Sequence, residues 1–312
     1  MTKRFQKIIY YRYAKKISKK EARYYISLIR ECIEENEEIK QELERYYKKI
    51  VVYIFKTGKE KQQLKVQSDY FNRKINTLGA PSPAHATSEM NKGLIIINTD
   101  KVIEVSDKRI DIKPIENLHK LMMFEEICHL IEQKGNTLTF PSSAEKLFVK
   151  YSNYLKALGK SPDIGLEIIK KLRSNRNHYE VYKMMIKYYP TLFFERFSTV
   201  FWEEGNYNKK YYTWKENLNK NIALARLLSD NFLRKILFIV IGDYEKYGIE
   251  HNKISLTLDK CKNALEELNQ ILDSEKPELL EQLENIDELI FETHESFFDY
   301  VYYLWEKNGL LE

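Results

Sequence analysis

Only 10 glycines and 7 prolines interrupt 312 residues. These are the residues that most readily end a helix or strand, glycine through its backbone freedom and proline through its fixed φ and missing N–H. A chain this poor in both is committed to long, unbroken elements, and the spacing of its apolar residues decides their type. Ala22, Tyr25, Ile26, Ile29, Cys32 and Ile33 recur three to four apart, which predicts one long helix from about Lys19 to Lys49. The run IVVYIF (Ile50 to Phe55) is β-branched and aromatic, and with QQLKV beyond the connector KTGKEK it reads as a hairpin. LGAPSPAHATSEM (Leu78 to Met90) reads as a loop leading into a buried strand, GLIIINTD (Gly93 to Asp100).

Pro114 marks the start of a further helix, which carries Ile115, Leu118, Met122, Ile127 and Leu130 and stops at Gly135. Beyond it, helices are expected near Ser143 to Leu158, Pro162 to Leu172, Asn177 to Tyr189, Asn219 to Tyr247, Thr257 to Asp273 and Pro277 to Lys307, with Trp202 to Asn217 partly irregular. The expectation is a predominantly helical α+β fold. A small sheet lies within the first 115 residues, the C-terminal half is helical, and the chain divides into 1–215 and 216–312.

An apolar fraction of 43% and an aromatic fraction of 13% exclude a disordered chain. The abundance of Lys, Glu, Ile and Tyr matches the surface bias of proteins from hot environments. Cys32, Cys128 and Cys261 are odd in number and far apart, so no disulfide framework or cysteine zinc knuckle is indicated, and a reducing cytoplasm is the expected location. The basic N-terminus lacks the apolar core of a signal peptide, and the longest apolar run, Ile236 to Ile241, falls far short of the ~20 residues that span a bilayer. Charge is uneven along the chain. Nine Lys or Arg face one Glu between Lys3 and Arg23, whereas twelve acids face one Lys between Glu266 and Asp299. A basic start of this kind suits nucleic acid, an anionic surface, or the chain's own acidic helices.

One segment has ligand-like spacing: Phe124-Glu125-Glu126-Ile127-Cys128-His129. Four residues apart on a helix, Glu125 and His129 share a face and offer a carboxylate and an imidazole to one metal ion. Glu126 is then placed to activate a metal-bound water, as in an H-E-x-x-H helix, with Glu standing where the first His is required. On these residues the chain resembles the zincin-like metallopeptidases, over roughly 19–190. They share its order of helix, strands, edge strand, active-site helix and later ligand helix. The resemblance implies Glu126 as general base, Glu125 and His129 as metal ligands, and a third ligand from RNHYEVYKMM, either Glu180, as in the gluzincin type, or His178. It also implies an extended peptide substrate added to the edge strand GLIIINTD. The metal would be zinc, with manganese or iron also suited to a Glu/His/Glu set. The extra carboxylate weakens the ion as a Lewis acid, so a variant hydrolase and a degenerate pseudo-peptidase both fit.

Other readings compete. Glu126-x-x-His129 is also the i, i+3 pair of di-iron helix bundles, which need a second such pair and two further Glu residues on neighbouring helices. His119 reads as a surface residue, His85 as a loop residue, and His251 and His294 as residues without sequence neighbours. YNKKYYTWK (Tyr207 to Lys215) either stacks nucleic-acid bases or covers a helical core with its lysines turned outward. No phosphate-binding glycine loop or nucleophile elbow is present. The alternative to a peptidase is a non-enzymatic helical interaction protein, joined to a protein or nucleic-acid partner through its basic N-terminus or acidic C-terminal helices.

Overall fold

The computed structural model describes residues 8–56, 83–107, 114–133, 141–199, 207–242, 251–284, 286 and 288–312. The fold is the expected one, helices with a small sheet near the N-terminus. The elements in chain order are β1 (Ile9–Tyr13), α1 (Lys19–Glu34), α2 (Glu37–Tyr46), β2 (Lys49–Phe55), β3 (Ala84–Glu89), β4 (Lys92–Asn98), α3 (Thr99–Asp107) and α4 (Ile115–Gln133). They continue with α5 (Ser142–Ala157), α6 (Asp163–Tyr188), α7 (Pro190–Thr199), α8 (Tyr207–Asn217), α9 (Lys220–Gly242), α10 (His251–Glu275), α11 (Pro277–Glu284), a 3₁₀ turn (Glu288–Phe291) and α12 (His294–Lys307). Contacts gather these into two units, 1–138 with 184–199 and 139–183 with 200–312, so that α6 contributes its last turn to the first unit and the rest to the second.

In the first unit the sheet order is β1-β2-β4-β3. β1, β2 and β4 run parallel, and β3 is an antiparallel edge hairpinned onto β4. β2 and β4 are apolar along nearly their whole length because both faces are covered, as parallel strands require. The stretch Ala84–Glu89 corrects the expectation of a loop. AHATSE has little β propensity of its own and becomes a strand because every residue pairs with β4. The tight reversal takes Met90 to φ 50°, the only non-glycine at positive φ among the described residues. Within the expected hairpin, IVVYIF is the strand β2, while QQLKV lies outside the described residues.

The long helix expected over Lys19–Lys49 is two helices. Ser18 caps α1 by accepting from Glu21 N, and Asn36 ends it, leaving the helical region and donating from its side chain to Cys32 O at 2.7 Å. Conversely, the helices expected at Pro162–Leu172 and Asn177–Tyr189 are one, α6, since nothing between them stops the backbone. α6 ends at Tyr188, and Pro190 opens α7 at the first helical position, where a missing N–H costs nothing.

α4 is apolar nearly all round, with Leu118, Leu121, Met122, Met123, Phe124, Ile127, Leu130 and Ile131 buried, and it packs on β3, β4, α1, α2 and α7. Gly93 on β4 lets it approach. A Cβ there would sit 3.2 Å from Leu130 Cδ1 and 3.3 Å from Ile50 Cγ1. Tyr47 OH donates to Leu130 O at 2.6 Å and fixes the helix from the α2 side.

Among the described residues, the elements of the second unit are all helical. Its centre is α9, again buried nearly all round, flanked by α8 and α10, while α12 packs on α5. The region expected to be partly irregular is helical from Tyr207, and 201–206 lie outside the described residues. Tyr207 and Tyr211 are fully buried, with Lys210 and Lys215 over their rings and Lys215 paired to Glu275 at 2.7 Å. YNKKYYTWK is therefore an aromatic cover on the helical core, its lysines snorkelling outward. Among the described residues no helix is long and apolar enough to cross a membrane.

Candidate functional site

The site expected from the sequence falls on α4, in the first unit. Its surroundings are set by Tyr189, at the join of α6 and α7. The Tyr189 hydroxyl donates to Glu35 Oε2 at 2.6 Å and accepts from Asn36 Nδ2 at 3.1 Å, and its ring meets Phe124 edge-on at 4.6 Å. Lys120 lies 5.3 Å over the same ring and bonds Glu35 at 2.8 Å. This knot ties the end of α1 to α4 and directs α7 along it.

α7 seats itself through Phe193, Phe194 and Phe197, all fully buried. Arg196, between them, lies 5.4 Å over the Phe197 ring and donates through Nη1 to Glu125 Oε2. Both side chains are mostly buried, so the ion pair is shielded from water and strong. Glu125, the residue in the position of the first histidine, thus holds a guanidinium supplied by its own chain.

Glu126 is only 8% exposed. Burial pushes its carboxyl well above the usual carboxylate range, the neighbouring Glu125 adds to this, and the Ala86 N–H and Arg196 pull partly back. Its Oε2 has no hydrogen-bond partner. The bond from Ala86 matters for the edge strand. Asn98 N donates to Pro83 O at 2.9 Å, so in the alternating antiparallel ladder Ala86, opposite Ile95, is a position whose N–H and C=O face away from β4. Glu126 receives that N–H, and Gln133, two turns on, donates to that C=O at 3.4 Å. The outward groups of Ala86, which an added strand would engage, are met by two side chains of α4. The exposed edge on this side is β3, and GLIIINTD, expected to be the edge, is the interior strand β4.

His129 lies one turn beyond Glu125, half-buried on α4. The two residues named for a third ligand, Glu180 and His178, belong to the second unit. There Arg176 Nη2 lies 3.8 Å from Glu180 Oε1 one turn away, and His178 Nδ1 donates to Ser174 O at 2.6 Å. Comparison with protein-family models, curated proteins and solved structures gives no match for this chain.

Zinc, manganese and iron each accept a carboxylate and an imidazole. An ion at Glu125 would share that carboxylate with the Arg196 guanidinium paired to its Oε2. Arg196 carries no motif letter. Its one sequence signal is a lone cation inside TLFFERF, because a charge among aromatics that must be buried needs a counter-charge.

The other histidines are also differently placed. His119, expected at the surface, is buried, with Nδ1 2.9 Å from Tyr24 OH and Nε2 2.8 Å from Ser106 Oγ, and burial lowers its pKa. His294 bonds Asn177 Oδ1 at 2.6 Å, and burial, with Arg176 and Arg173 adding, holds its pKa at about 3. His85 is exposed on β3, and His251 is the first residue of α10. The three cysteines are buried thiols.

Proposed function

We propose that this chain is a degenerate pseudo-peptidase of zincin-like type, in which charges of the protein itself occupy the place of the catalytic ion. The observation that carries the proposal is the Arg196–Glu125 ion pair. Glu125 stands where the motif's first metal ligand belongs, and its negative charge is neutralised by a guanidinium, which unlike a metal ion cannot acidify water or polarise a carbonyl. Glu126 in the base position supports the same reading. It is buried against the edge strand and receives the Ala86 N–H, which gives it a fastening role there. Such a module would hold a partner through its surface and leave the partner's peptide bonds intact.

The test is hydrolysis of an unfolded polypeptide by the full chain with zinc, manganese or ferrous iron supplied, against Glu126→Gln. The proposal expects equal, background-level cleavage by both. Cleavage that Glu126→Gln abolishes would replace it with a metal-dependent peptidase acting through Glu125, His129 and one of Glu180 or His178.

A further inference from the structure

The opposite edge of the sheet is built differently from the edge on α4. In β1 only Ile9 is buried, while Tyr10, Tyr11 and Tyr13 are 49%, 38% and 39% exposed. Three large aromatics on a solvent-facing edge strand forgo the burial that normally accounts for such residues, and they mark a contact surface. Tyr11 and Tyr13, two apart, project to the same side. Their rings are 6.4 Å apart and within 15° of parallel. Bases in a stacked strand lie about 3.4 Å apart, so a base inserted between two rings needs about twice that, and the Tyr11–Tyr13 spacing meets it. Tyr10, on the other side, has Lys49 Nζ 4.8 Å over its ring.

The chain leaving β1 is cationic. Lys15, Lys16, Lys19, Lys20 and Arg23 are all exposed, and none forms an ion pair among the described residues. The one acid in this run, Glu21, faces Lys56 at 3.9 Å. We infer that β1 and the lysines that follow it form a binding site for single-stranded nucleic acid, with a base between Tyr11 and Tyr13 and phosphates on Lys15, Lys16, Lys19 and Lys20. A single strand fits better than a duplex, whose bases are already stacked on one another and closed to the rings. It fits better than an anionic membrane, because the patch offers no aliphatic side chain to insert. This site is independent of the α4 site and of the function proposed for it.

The experiment is fluorescence anisotropy of a labelled oligothymidylate of about 20 nucleotides, long enough for one compact site. The full chain is titrated across a salt series, with its duplex, heparin and phosphatidylserine vesicles run in parallel. The site predicts that single strands bind more tightly than duplex and that affinity falls with salt. Tyr11→Ala/Tyr13→Ala should weaken single-strand binding roughly 5- to 100-fold, the range of one lost base stack, while leaving heparin binding within about twofold. Tyr11→Phe/Tyr13→Phe, which keeps the rings and the strand, should bind as the wild type does. Three outcomes would overturn the inference: equal loss of heparin and single-strand binding in the Ala variant, single-strand binding unchanged in it, or retention by the vesicles alone.

Discussion

Arg196 donates to the carboxylate of Glu125, joining α7 to α4 one turn before His129. The pair is largely out of solvent, so removing one member leaves a buried charge without its partner. Arg196→Met and Glu125→Gln should each lower stability by about 3 kcal/mol, and the double variant should cost clearly less than the sum. Urea unfolding of the four proteins measures the coupling. Additive losses would mean that the two residues do not act as a pair.

Glu126 and Gln133 close the outward face of Ala86, so the Ala86 amide should exchange with deuterium slowly although it sits on an edge strand. Glu126→Ala removes the acceptor, and exchange at Ala86 should accelerate at least tenfold while the amides of β2 and β4 stay protected. Hydrogen exchange read by NMR or fragment mass spectrometry decides this, and unchanged protection would place the edge's closure elsewhere.

Gly93 on β4 faces Leu130 of α4. Gly93→Ala puts a methyl group against Leu130 and Ile50 at contacts tighter than ordinary van der Waals distance, and it should destabilise the chain by about 1–3 kcal/mol. Adding Leu130→Val, which withdraws one of the two crowded atoms, should recover part of the loss. Thermal unfolding of both variants gives the answer, and a single variant as stable as the wild type would contradict the packing.

His294 supplies a pH signature. Its folded pKa of about 3 lies below the unfolded value of about 6.5, so the neutral ring is favoured in the fold. The stability it contributes is fully present above pH ~6.5 and is lost as pH falls towards 3, at a slope of at most about 1.4 kcal/mol per pH unit. His294→Gln should flatten that part of the stability–pH curve relative to the wild type. Parallel curves across that window would mean His294 is protonated in the fold.

The fold class was legible because period and punctuation act locally. The three-to-four spacing of six apolar residues from Ala22 to Ile33 and the run Ile50 to Phe55 state their own geometry. What the sequence hid depends on partners distant along the chain. AHATSE is a strand only because β4 lies beside it, and His119 is buried only because Tyr24 and Ser106 receive it. The E-E-x-x-H letters lie on α4, but the guanidinium paired with Glu125 comes from Arg196, 71 residues away. No spacing rule on α4 points to it.

The most direct test of the central claim, that Arg196 stands in for an ion, is metal content. Full-length wild type, His129→Ala and Arg196→Ala are incubated with zinc, manganese and ferrous iron, dialysed extensively and measured by mass spectrometry. The account predicts no metal in the wild type beyond the level of His129→Ala. About one equivalent retained by the wild type and lost in His129→Ala would contradict it.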